Sequence, residues 1–129
     1  MSIIKTKLHQ NLQTVSVVEG RKNTVSTAFV NPREDMNPGE LLAAALAACM
    51  LTMIGYQAAK KGENVIGTEL AVEPVFDGKH SRIVQMNILL AFPSDLSQES
   101  QRFYARIAQT CPVHNSLRED IVFHLKVKQ

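Results

Sequence analysis

Several features that would settle the class of this chain at once are scarce in it. Formal net charge is only +2 and aromatic residues make up 5% of the 129 residues. It therefore offers neither the basic footprint nor the stacking platform of a nucleic-acid binder. Two cysteines are too few for the disulfide framework of a small secreted domain. No internal repeat, low-complexity tract or linker divides the chain, and its length fits a single domain, 1–129. The first residues, Met1 to Leu8, are strand-like and carry Lys5 and Lys7 rather than an apolar signal core. The expected location is the cytoplasm. In a reducing compartment a cysteine pair is more often catalytic, redox-active or metal-binding than a permanent crosslink.

The pattern along the chain predicts βββ-α-ββ-αα-β, an α+β fold with a mostly antiparallel sheet. Short strands are expected over Ile3 to Leu8, Gln13 to Val18 and Thr24 to Phe29, with a turn at Glu19-Gly20-Arg21-Lys22-Asn23. A loop follows through Asn31-Pro32-Arg33-Glu34-Asp35. Asn37-Pro38-Gly39-Glu40 then opens a helix, with an N-cap, a proline at the first helical position and a carboxylate at the third. Lys60, Lys61 and a C′ glycine, Gly62, end it. Two strands come next, near Glu69 to Phe76 and Arg82 to Phe92. The second of them puts Val84, Met86, Ile88, Leu90 and Phe92 on one face. A helix starting near Ser97, a short helix at Pro112 and a strand with Ile121, Phe123, Leu125 and Val127 on one face complete the order.

From Leu41 to Ala59 the first helix is apolar nearly all round. A run of about 20 apolar residues is long enough to span a bilayer. Alanine contributes little to insertion, however, and the flanking strands have the half-buried pattern of a soluble core, so no membrane is expected. The alternative is a helix buried on every side. One small sheet and one further helix can hardly wrap it within a monomer. Ala44, Ala48, Leu51 and Gly55 form an edge small enough for close approach of another helix. A homodimer is expected, in which this helix packs on its counterpart or lies under the partner's strands.

The two cysteines sit in unlike settings. Cys49 lies inside the alanine-rich helix, where it is expected to be sheltered. Cys111 precedes Pro112 in the run Cys-Pro-Val-His, where proline disfavours the αR region and makes Cys111 a natural N-cap. Its sulfur then faces free backbone N–H groups that favour thiolate. One sheltered and one activated thiol can form a redox pair if the fold brings them together. His114, at the third position of the short helix, is expected to make a local backbone or capping hydrogen bond rather than to act as a base.

Asn-Pro-Gly-Glu-Leu-Leu-Ala-Ala-Ala-Leu-Ala-Ala-Cys (Asn37 to Cys49), the following Lys-Lys-Gly and Cys-Pro-Val-His (Cys111 to His114) together resemble the OsmC/Ohr family of osmotically induced and organic-hydroperoxide-resistance proteins. The order of elements matches along almost the whole chain, with these two motifs as the specific part. The resemblance implies an intertwined homodimer with the long helix buried at its centre and active sites at the subunit interface. It also implies a thiol peroxidase that needs no cofactor. One cysteine attacks an organic hydroperoxide, the other resolves the sulfenic acid as a disulfide, and a dithiol reductant, for which the family suggests a lipoyl-type protein, resets the pair. Matched by motif, Cys49 takes the peroxidatic place and Cys111 the resolving one.

The family also implies a cation beside the peroxidatic sulfur, an arginine from the N-terminal strands backed by a glutamate at the start of the long helix. Arg21, just after a glycine in an early turn, falls where that arginine falls, with Arg33 as the fallback. The glutamate is the departure. The helix-opening motif usually reads Asn-Pro-Glu; this chain has Gly39 there, and Glu40 follows one place later. One residue along a helix is roughly 100° of rotation, so Glu40 has two open roles, catalytic support or a capping box closed on Asn37. Two other classes stay in view. Gly39 favours an OsmC-like dimer with weak or no peroxidase activity, acting as a small-molecule binding or redox-sensing module. Cys49, Cys111 and His114 have a spacing that would permit zinc, without an evident fourth ligand.

Overall fold

The computed structural model describes residues 2–30 and 34–129. Arg33, the fallback activating arginine, lies outside the described residues. Those residues form two compact units, one running to Leu42 and the other Ala43–Gln129.

The first unit is a three-stranded antiparallel sheet of β1 (Ile4–Leu8), β2 (Gln13–Val18) and β3 (Thr24–Ala28), in that order. Ile4 pairs with Val18 and Leu8 with Thr14, while Gln13 pairs with Ala28 and Val17 with Thr24. The β2–β3 turn needs a residue at positive φ, which Gly20 supplies at +87°. Between β1 and β2 the chain makes a 3-10 turn at Gln10–Leu12, with Asn11 and Leu12 at φ 60° and 58°. No sequence pattern announced this turn, because a leucine in the left-handed region runs against its own preference.

Helix α1 (Pro38–Lys61) begins as its first residues dictate. The Asn37 side chain accepts from the Glu40 backbone N–H, and the Glu40 carboxylate accepts from the Asn37 N–H, both at 2.8 Å. This is a capping box that satisfies two of the donors a helix start leaves free. At the other end Gly62 takes φ 70° and donates to the Ala59 carbonyl, while Glu63 donates to the Ala58 carbonyl. That pair of bonds is a Schellman motif, and Gly62 sits at its left-handed position.

In the second unit α1 buries a single stripe, Ala43, Leu46, Met50, Ile54 and Ala58, spaced three and four residues apart. The stripe packs into a core with Met86, Ile88 and Leu90 of β5 (Ile83–Ala91), the inward face that strict alternation marks out. β4 (Glu69–Phe76) pairs with β5 antiparallel, Glu69 opposite Ala91. β6 (Val122–Val127) pairs with β5 in parallel, Gln85 opposite Val122 and Leu90 opposite Val127. A parallel neighbour requires a crossover connection. Here α2 (Gln98–Ala108) and α3 (Pro112–Ser116) form it, α2 opening on Ser97, whose side chain accepts from the Ser100 N–H.

One expectation changes. Among the described residues the strands make two separate three-stranded sheets rather than one, and one of the four strand pairings is parallel. Alternation along a strand gives its buried face but not its neighbour, so this pairing was not readable. As expected of a helix that one small sheet and one further helix can hardly wrap, α1 is not buried on every side within the chain: Leu42 and Tyr56 are exposed, and Ala45, Ala48 and Thr52 also face outward.

A polar lock ties the end of α1 to α2. Glu63 accepts from Ser100 Oγ at 2.7 Å and from the Tyr104 hydroxyl at 2.5 Å, and pairs with Lys61 at 3.5 Å. The hydrogen bonds from Tyr104 and Ser100 hold the Glu63 carboxyl below its ordinary 4.5. Burial, reinforced by that same hydrogen bond, pushes the Tyr104 phenol up from 10.0 to about 12. The lowered carboxyl contributes stability that is present above pH 4.5 and lost as the pH falls through its folded value. The raised phenol contributes stability that is complete below pH 10 and lost as the pH climbs to about 12. Urea midpoints measured across pH are expected to show both losses in the native chain and to show the alkaline one vanish in Tyr104→Phe. An alkaline limb unchanged by that substitution would contradict the lock.

Candidate functional site

Cys49 lies on α1 beside the buried stripe, between Leu46 and Met50, and is itself only half-buried. Its sulfur packs against the core, together with Leu51 and Met53. Cys111 caps α3. It holds the extended conformation that a residue before proline prefers, φ −70° and ψ 146°, and its Sγ accepts from the His114 backbone N–H at 3.3 Å. The fold brings the two together. The Cys49 side chain is close enough to Cys111 to act on its ionisation, and both are free thiols.

Their characters are the reverse of what their local sequences indicated. Cys111 is 0% exposed and sits among the core residues Met50, Tyr104, Ala108 and Ile121. Burial pushes its thiol up, against the hydrogen bond from His114, and the neighbouring Cys49 pushes it the same way. The N-cap that was expected to activate Cys111 is present, but desolvation outweighs it. Cys49 is the half-buried residue of the two.

The other expected site residues fall in the first unit. Arg21 is exposed in the β2–β3 turn, its backbone N–H bonded to the Val18 carbonyl at 2.9 Å, and among the described residues its side chain makes no ion pair. Glu40 closes the capping box described above, the structural one of its two expected roles.

His114 contributes its main-chain N–H to Cys111, as expected of a local hydrogen bond, but its ring does something else. The imidazole packs at 4.4 Å on Phe123 of β6, and its buried Nδ1 has no hydrogen-bond partner among the described residues. Among the described residues no three His, Cys, Asp or Glu side chains come together to hold a metal ion. The zinc reading of Cys49, Cys111 and His114 therefore finds no assembled ligand set.

Sequence reasoning missed Phe123 as the seat of His114 and Glu63 as the partner of Tyr104. The only signal for Glu63 was a carboxylate placed directly after the C′ glycine. Elsewhere in this unit, a shallow groove of about 570 Å³ lies on the outward face of the β4–β5–β6 sheet. Glu73, Asn87, Leu89, His124 and Lys126 are among the residues lining it, and neither cysteine is. Gln85 donates to Asn87 and Asn87 to Glu73, at 2.7 and 2.9 Å, so part of its polar lining is already paired.

Comparison with known proteins places this site in context. The family model described as OsmC-like protein matches residues 31–126. A crystal structure from Psychrobacter arcticus, provisionally described as an osmotic stress induced and detoxification response protein, is 30% identical with a TM-score of 0.90 and covers 99% of this chain and 96% of its own. The organic hydroperoxide resistance protein OhrB of Bacillus subtilis superposes at a TM-score of 0.72 with 17% identity, over 99% and 98% of the two chains. An organic hydroperoxide resistance protein OsmC from Legionella pneumophila gives 0.73 with 18% identity, over 100% and 97%. The last two likenesses speak for the fold. No curated protein matches the chain.

Proposed function

This chain belongs to the OsmC-like protein family, and on that premise we propose that it is a cysteine-based thiol peroxidase that reduces organic hydroperoxides. The observation that carries the reading is the pairing of a half-exposed thiol, Cys49, with a fully buried one, Cys111, on adjoining elements of one core. Cys49 attacks the distal peroxide oxygen as thiolate, and the alcohol leaves. The Cys49 sulfenic acid then condenses with the Cys111 thiol, releasing water and forming the disulfide. A dithiol reductant of the lipoyl type returns both thiols by exchange. Arg21 is the residue the family resemblance assigns as the cation that favours the thiolate and the departing alkoxide. The apolar surroundings of Cys49, Leu46, Met50 and Met53 favour an alkyl or aryl hydroperoxide over hydrogen peroxide.

The chain acts in this reading as one OsmC-like domain, 1–129, in a cytoplasmic homodimer with α1 at its centre. What supports the dimer is uncovered apolar surface. Ile4, Leu8 and Val25 are exposed on the first sheet, and Leu42 and Tyr56 on the outward side of α1. A three-stranded sheet with so little cover needs a second surface to be stable. Sedimentation equilibrium of the reduced protein is expected to return twice the chain mass; a monomer across the micromolar range would remove this part.

Gly39 and the engagement of Glu40 in its capping box favour a second reading, a dimer that binds a small molecule or senses redox state with little turnover. Steady-state assays separate the two. With dihydrolipoamide as reductant, cumene hydroperoxide is expected to be consumed over many turnovers and faster than hydrogen peroxide. Consumption no faster than in buffer would sink the peroxidase and leave the binding or sensing module.

A further inference from the structure

The unequal burial of the two sulfurs bears on a step that the peroxide reaction leaves open, the return of the disulfide to thiols. Resting on the two-cysteine reading above, we propose that the disulfide is opened from one side only: the reductant's thiolate attacks the Cys49 sulfur, and Cys111 is the leaving group.

Thiol–disulfide exchange runs along the S–S axis, so the attacking thiolate must reach the sulfur it attacks from the side opposite the bond. For Cys111 that approach passes through the core. The residue is 0% exposed and lies among Met50, Tyr104, Ala108 and Ile121, with Val113, Leu117 and Phe123 packed around them. Cys49 lies beside the buried stripe and is only half-buried, so attack on it does not require the core to open. The departing sulfur has a place to go, since Cys111 Sγ already accepts the His114 backbone N–H at 3.3 Å in the reduced chain. One opening, at Cys49, thus serves both the hydroperoxide and the reductant.

The electron count closes with a dithiol. Its first thiolate forms a sulfur–sulfur bond to Cys49 and breaks the Cys49–Cys111 bond, whose electron pair leaves on Cys111. Burial disfavours a lasting Cys111 thiolate, so Cys111 is protonated once it has left, at the expense of the solvent. The reductant's second thiol loses its proton to solvent, attacks the reductant's own sulfur in the mixed disulfide and releases Cys49 as thiolate. The reductant ends as a cyclic disulfide and the protein has gained two electrons.

The test forms the disulfide without peroxide. Reduced protein is oxidised with diamide, freed of oxidant, exposed briefly to glutathione, quenched in acid, alkylated and mapped by peptide mass. Glutathione is expected on Cys49 with Cys111 alkylated, exceeding the opposite adduct by about tenfold or more because the core must open for the other attack. An adduct mainly on Cys111, an even partition, or failure of diamide to link the pair overturns the proposal. Because diamide replaces the hydroperoxide, a chain that reduces no peroxide still gives a result here, and the two failures are told apart.

Discussion

Cys49→Ser is expected to bring hydroperoxide turnover down to the uncatalysed rate, a loss of about three orders of magnitude or more. A serine hydroxyl at this place has no base to activate it, whereas a thiolate is intrinsically nucleophilic. The variant should remain folded. Position 49 lies beside the buried stripe of α1 rather than in it, and a helical serine can donate back to the carbonyl four residues earlier, that of Ala45. Thr52 already bonds the Ala48 carbonyl this way at 2.7 Å, and the helix accommodates it. The check is consumption of cumene hydroperoxide with a dithiol in excess, alongside the far-ultraviolet circular dichroism of the variant. A folded Cys49→Ser protein that keeps its turnover would assign the attack to another group.

Cys111→Ser is expected to behave differently, because it removes the second step and leaves the first. Serine is a preferred N-cap, so its hydroxyl takes over the His114 N–H and α3 keeps its start. The first equivalent of hydroperoxide should be reduced at the native rate. The Cys49 sulfenic acid then has no neighbouring thiol, and further peroxide carries it to the sulfinic acid. Steady-state turnover is expected to fall by about a hundredfold or more, since a resolving thiol held in place is exchanged for one that must diffuse in. Intact mass after excess hydroperoxide should show two added oxygen atoms, located on Cys49 by peptide mapping. Unchanged steady-state turnover would remove Cys111 from the cycle.

Much of the local structure was legible because it is written in short-range chemistry. Asn37, Pro38 and Glu40 spell out a helix start, Gly62 spells out its end, and Cys111-Pro112 fixes an extended residue ahead of a helix; each is found so. Met86, Ile88 and Leu90 alternate as an inward face should, and all three are buried. What failed was whatever depended on which elements meet. The parallel pairing of β5 with β6 follows from the α2–α3 crossover, which no strand pattern records. The incomplete cover of α1 within one chain was expected, but which stripe the chain buries was not readable, since alanine suits an exposed helix face as well as a core.

The two thiols show the same limit at the site. Local sequence gave Cys111 an activating N-cap and gave Cys49 an apolar helix, so it ranked Cys111 as the more reactive. Tertiary packing then buried Cys111 completely and left Cys49 half-open, reversing the order. The hydrogen bond from His114 survives, but its contribution is smaller than the cost of taking a thiolate out of water. The motif resemblance had already assigned Cys49 the peroxidatic place, against the local order. Glu40 was a different case, since its two roles could not be separated by spacing. Its hydrogen bond to the Asn37 N–H shows that the capping role is filled.

The most direct test of the account is a thiol count. Reduced protein is treated with one equivalent of cumene hydroperoxide, and its intact mass, free thiols and disulfide peptides are measured. The account predicts rapid loss of both thiols within each chain, no retained oxygen, and a Cys49–Cys111 linkage. Two intact thiols beside unconsumed hydroperoxide would contradict it.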